Sequence, residues 1–159
     1  SILMGEKVVG YSVFKIDKNV DAGNLIYQDS FNLNQDTYAS DVYEKVITLF
    51  NRSYLQISES LQDKLIASDY THSDTKKFNK SDYSILGQDI LTAKRMIRAF
   101  NVIGPAFIKQ KDKFLKIHEY TEKEHGFPIE LSDGILYPSI ITPEGKNKMK
   151  IDDYLRGKL

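Results

Sequence analysis

Asp21 is the residue of this chain whose type and setting most directly suggest chemistry. It ends the polar loop Asp17-Lys18-Asn19-Val20 and stands two residues before Gly23. A carboxylate at the exit of a buried strand lies where open α/β sheets gather ligand-binding groups. There it could orient a histidine or a water, or take a proton. The same residues also suit a plain reversal, with Asp21 bonding its own backbone ahead of a glycine. Residue types alone leave both readings open.

Other chemistry-bearing side chains are more scattered. His72, His118 and His125 stand in three different contexts without ligand spacing, so each reads as an ordinary surface or hairpin residue. Lys76, Lys77 and Lys80 surround Phe78 and could meet a phosphate, although a solvated basic loop explains them more simply. There is no glycine-rich phosphate loop, paired-histidine motif, nucleophile elbow or cysteine nucleophile, and no metal site is expected.

These residues must be held by elements that the sequence outlines. Val8 to Ile16 is β-branched and aromatic on both faces, which suits a strand covered on both sides. Gly23-Asn24 is read as a tight reversal at positive φ. Leu25, Tyr27, Phe31 and Leu33 then alternate with polar residues, predicting a second strand antiparallel to the first. Asp36 or Thr37 can cap the helix that follows. Its stripe Tyr43, Val46, Ile47, Phe50, Tyr54, Ile57, Leu61, Leu65 has helical spacing and reads as core. A polar stretch from Ala67 to Ser84 suits a linker or a site rim. Gly87 to Phe100 predicts a second helix, ended by Gly104-Pro105. The last third reads as two hairpins, one turning at Lys111-Asp112-Lys113 and one at Pro143-Glu144-Gly145-Lys146.

Composition narrows the class. The 159 residues carry 22 basic and 22 acidic side chains, so net charge favours neither nucleic acid nor an anionic membrane as partner. No apolar run reaches membrane-spanning length. The lack of cysteines excludes a disulfide scaffold and is compatible with the cytosol, making cytoplasmic the expected location. The opening Ser1-Ile2-Leu3-Met4-Gly5 resembles the end of a buried element more than a leader, and the expectation is the later part of a longer protein.

The segment Gly10 to Gln28, with its strand, loop, Asp21-Ala22-Gly23 and second strand, resembles the late catalytic segment of the folate-dependent formyltransferases. The likeness continues through Asp36-Thr37 and the long helix to Arg95-Met96-Ile97-Arg98-Ala99-Phe100. More loosely, it extends to Gly134–Lys146 and the closing Arg156-Gly157-Lys158-Leu159. That resemblance implies an α/β fold: the end of a Rossmann-like domain (two strands and a long helix, 1–86), a connecting helix (87–104) and a small C-terminal β region (105–159). It implies formyl transfer from N10-formyltetrahydrofolate to an amine, with Asp21 as catalytic carboxylate. Ile16, Asp17, Lys18, Asn19 and Val20 would line the pterin pocket, largely through their backbone, which suits a flat heterocycle rich in donors and acceptors. The family's Asn-x-His motif does not occur in these residues, so the chain alone is expected to be inactive. Lysines and acids nearly balance after Gly104. That favours a nucleotide-linked amino sugar over transfer RNA as acceptor, with nucleic acid binding not expected. Sugar-acting relatives pair through C-terminal strands, so a homodimer is expected; a non-catalytic dimerisation or binding module is the alternative.

Overall fold

The computed structural model describes residues 1–16, 18, 23–63, 77–110 and 112–157. The order is β1 (Val8–Phe14), β2 (Leu25–Asn32), α1 (Ala39–Asp63), a short 3-10 turn (Lys80–Tyr83), α2 (Ile90–Phe100), β3 (Ala106–Gln110), β4 (Lys113–Thr121), β5 (Ile129–Glu130), β6 (Ile135–Pro143), β7 (Met149–Lys150) and α3 (Ile151–Arg156). The chain is mixed α/β, as the family resemblance implies. It divides into two units, one holding Glu6–Gln35 and the chain from Asp41, the other holding Ile2–Gly5, Asp36–Ser40 and the chain from Lys77.

In the first unit β1 and β2 form an antiparallel ribbon, with Val8 opposite Asn32 and Val13 opposite Tyr27. Tyr11 docks the ribbon onto α1, its ring meeting Phe50 edge-on at 6.4 Å. The Ser53 hydroxyl donates to the Leu49 carbonyl at 2.8 Å. That leaves Tyr11 as the donor in its 2.8 Å bond with Ser53 Oγ. Two expectations need correction here. β1 is half-exposed rather than covered on both sides, with Val8 and Phe14 open to solvent. Among the side chains of the α1 stripe that the structure describes, only Ile57 is buried, at 5% exposed, while Tyr43, Ile47 and Tyr54 are 55%, 60% and 57% exposed. The physical reason is width. Two strands about 5 Å apart cannot cover the side of a helix about 10 Å across. Of the same stripe, Leu65 lies outside the described residues.

The second unit has the larger core. Its sheet runs β3-β4-β6-β5, with β7 also pairing β6. The 2-residue alternation of strands sends Ala106, Ile108, Leu115, Ile117 and Ile141 inward. The helical spacing of Ala93, Met96, Ile97 and Phe100 lays α2 over them. Asp89 caps α2 by accepting from the Thr92 amide at 2.9 Å, so the helix begins three residues after Gly87. Gly87 itself has φ +79°, a left-handed turn that favours glycine. The end of the polar stretch is anchored as well, with Ile85 fully buried and Phe78 meeting the Phe100 ring at 5.1 Å. Sequence pattern had outlined both hairpins but neither β5 nor α3, whose spans are too short to carry a period.

Tyr11→Phe is expected to cost about 1 kcal/mol of stability, the usual worth of one such hydrogen bond. Urea unfolding followed by circular dichroism checks it; an unchanged midpoint would mean that Tyr11 docks the ribbon by its ring alone.

Candidate functional site

The loop expected to do chemistry leaves the ribbon at Phe14, which pairs with Leu25 after an irregularity between Val13 and Phe14. The Lys15 amide donates to the Asn24 carbonyl at 2.9 Å, continuing the ladder one step into the loop. Gly23 is buried, and a Cβ there would lie 1.5 Å from the Lys15 carbonyl oxygen. No side chain can occupy that space, so glycine is required by close backbone approach. The predicted positive φ at Gly23-Asn24 is corrected accordingly: among the described residues only Asp112, Gly5, Gly87 and Gly145 have it.

Of the residues expected to line the pterin pocket, Ile16 is 90% exposed and Lys18 is also exposed. Asp17, Asn19 and Val20 lie outside the described residues, as does the catalytic candidate Asp21. What the structure supplies is their mounting. Both loop ends are held by the ribbon, and the loop leaves it at a fixed point, pinched between Lys15 and Gly23–Asn24.

The histidines are held locally. His118 Nε2 bonds Thr142 Oγ1 at 2.8 Å. His125 Nδ1 accepts from the Phe127 amide at 3.3 Å, and its ring meets Tyr137 edge-on. His72 lies outside the described residues. No group of three or more His, Asp or Glu side chains suited to a metal ion occurs among the described residues.

A constellation that sequence reading missed surrounds Arg98, the arginine of Met96-Ile97-Arg98-Ala99-Phe100. It is 7% exposed, and its Nη1 donates to the Thr37 carbonyl at 3.2 Å. Asn101 Nδ2 donates to Ser40 Oγ at 3.0 Å, and its Oδ1 accepts from the Ser40 amide at 3.3 Å. The end of α2 thus clamps the segment Asp36–Ser40, from which α1 starts. Burial, aided by Tyr120 and Glu119, pushes the neighbouring Tyr38 hydroxyl up to about 12. Asp36 and Thr37, read as helix caps, precede α1 by two or more residues. Thr37 instead offers its carbonyl to Arg98. Sequence gave no signal for this clamp, because its partners stand about 60 residues apart.

The fold so described is shared with known proteins. HypX from Aquifex aeolicus, solved in complex with tetrahydrofolic acid, superposes with a TM-score of 0.78 at 18% identity over 97% of this chain and 31% of its own. An N-formyltransferase from Helicobacter canadensis, solved with folinic acid and dTDP-3-aminofucose, gives a TM-score of 0.51 at 20% identity over 94% of this chain and 56% of its own. In sequence, the methionyl-tRNA formyltransferase of Wolbachia sp. subsp. Drosophila simulans is 26% identical over 99% of this chain and 56% of that protein. No family model matches the sequence. In sequence the chain is thus similar to methionyl-tRNA formyltransferases, and in fold to HypX and to an N-formyltransferase. It spans about half the length of the curated relatives that it matches.

Gly23→Ala is expected to cost about 1–3 kcal/mol, the usual penalty of forcing atoms into filled space. Asn24→Ala, which keeps the carbonyl that Lys15 uses, should stay within about 0.5 kcal/mol. Chemical denaturation of the two variants side by side checks this, and equal costs would remove Gly23 as the constraint on the loop.

Proposed function

We propose that this chain supplies the carboxylate part of a folate-dependent formyl-transfer site, with N10-formyltetrahydrofolate as donor. Asp21 is the catalytic carboxylate, and Ile16, Asp17, Lys18, Asn19 and Val20 form one wall of the pterin pocket. The observation that carries this reading is the pinched loop between Lys15 and Asn24, which falls on the residues that resemble the family's catalytic segment. The formyltransferase likeness over nearly the whole chain supports it.

The chemistry assigns Asp21 a definite task. An acceptor amine attacks the formyl carbon, a new C–N bond forms, and the carbonyl electrons move onto oxygen. Asp21, directly or through an oriented water, takes the proton that the attacking nitrogen must lose. Collapse breaks the bond to N10 of the folate, which leaves as an amine after receiving a proton. Donors that steady the oxyanion are needed as well. In the family they belong to the Asn-x-His motif, which these 159 residues do not contain.

For the acceptor, the near-balance of lysines and acids after Gly104 favours an amine on a nucleotide-linked sugar. The fold shared with an N-formyltransferase that binds dTDP-3-aminofucose agrees with it. A second reading, an aminoacylated transfer RNA, is supported by the curated relative named for methionyl-tRNA. Pairing of two subunits through the C-terminal strands belongs to the sugar reading.

In an active protein that includes this chain, Asp21→Asn should lower formyl transfer by at least about a hundredfold, the scale of a lost proton-transfer group, while the far-ultraviolet spectrum is unchanged. Retained turnover would overturn the assignment. The same assay run with a dTDP-amino sugar and with methionyl-tRNA separates the two acceptors. Sizing chromatography of the 159-residue chain should give a dimer, and a monomer at high concentration would remove the pairing role.

A further inference from the structure

The second unit carries a groove of about 610 Å³, within the range of small-molecule sites. Three rings and three lysines line it: Tyr83, Phe107 and Phe114, with Lys80, Lys116 and Lys146. Strand pairing explains the convergence. Phe107 lies opposite Lys116 on the β3–β4 ladder, and Lys116 lies opposite Thr142 on the β4–β6 ladder. Phe114 stands two residues before Lys116 and therefore on the same sheet face, turned away from the core that Leu115 and Ile117 enter. Phe107 and Phe114 meet edge-on at 5.2 Å, and Lys80 Nζ sits 4.1 Å above the Phe114 ring.

Positive charge is in excess, three lysines against one carboxylate. Lys94, Lys109 and Arg156 each pair with a carboxylate, whereas Lys80, Lys116 and Lys146 make no ion pair among the described residues. One carboxylate, Glu144, also lines the groove, but its Oε2 accepts from the Phe114 amide at 2.9 Å, so it is turned to the hairpin backbone. On the same face His118 feels the excess of positive charge. Burial first, then Lys148 and Lys116, hold its imidazole below the usual histidine range.

From the rings and unpaired lysines of this groove, we infer that it binds a nucleotide, the base lying against Phe107 and Phe114 and the phosphate meeting Lys80, Lys116 and Lys146. Base-on-ring contact together with cations on phosphate is the general chemistry of nucleotide recognition. An inorganic anion would leave the rings unused, and an apolar ligand would leave three lysines facing it. The inference stands on the second unit alone and does not rest on the formyl-transfer reading.

Calorimetry of the 159-residue chain with ADP, adenosine, inorganic phosphate and a short single-stranded RNA tests it. ADP should bind, with adenosine and phosphate each at least about tenfold weaker. Lys116→Gln with Lys146→Gln should weaken ADP by at least about tenfold. Both side chains are exposed, so the fold should persist, and Lys146→Gln alone in the hairpin turn gives a second, milder variant. ADP should also raise the proton affinity of His118, followed by NMR titration. RNA binding that is lost in the same variants alongside ADP would identify the nucleotide as a unit of a strand. Phosphate matching ADP, RNA binding without ADP binding, or ADP binding unchanged in both lysine variants would overturn the inference.

Discussion

A single backbone approach fixes where the loop after β1 leaves the ribbon. Gly23 lies so close to the Lys15 carbonyl that no side chain fits between them. The adjoining Lys15–Asn24 hydrogen bond extends the β1–β2 ladder into the loop. The loop that bears Asp21 therefore leaves the ribbon at a defined point. That exit is set by steric exclusion between backbone atoms rather than by a network of side chains.

The two units achieve stability in different ways. The second buries a continuous cluster in which α2, β3, β4 and β6 each contribute fully covered side chains. The first leaves much of the apolar stripe of α1 in solvent, because a two-stranded ribbon is too narrow to cover it. Its Tyr11–Ser53 bond and the surrounding rings tie ribbon to helix at one place. Lys45 over the Phe31 ring adds a peripheral contact.

Electrostatics show how a neutral composition can hide a local field. Lysines and acids nearly balance along the C-terminal sequence, yet strand pairing gathers Lys116 beside Phe107 and Thr142, with Lys80 and Lys146 converging on the same groove. Three acids of that region pair with other cations, Glu122 with Lys94, Asp112 with Lys109 and Asp153 with Arg156, and Glu144 in the groove wall accepts from the Phe114 amide. A charge count along the chain measures solubility and long-range attraction, not what a ligand meets at one face.

The sequence by itself determined the antiparallel β1–β2 pair, α1 and α2, and the two C-terminal hairpins. Each rests on a local period or a turn signal, and such signals act over a few residues. It also marked the Gly10–Gln28 segment whose likeness to formyltransferases agrees with the relatives and the shared fold. Tertiary structure alone decided what depends on distant partners. The spacing of the α1 stripe could not say which of its side chains are covered, since coverage depends on the width of the opposing sheet. Gly23 was legible as a glycine position, but its reason was not, because the excluding atom belongs to Lys15. Arg98 and Asn101 reach residues about 60 positions earlier, and Lys80 joins Phe114 and Lys146 only through the folded sheet. Local pattern fixes elements; contacts across long stretches of chain fix sites.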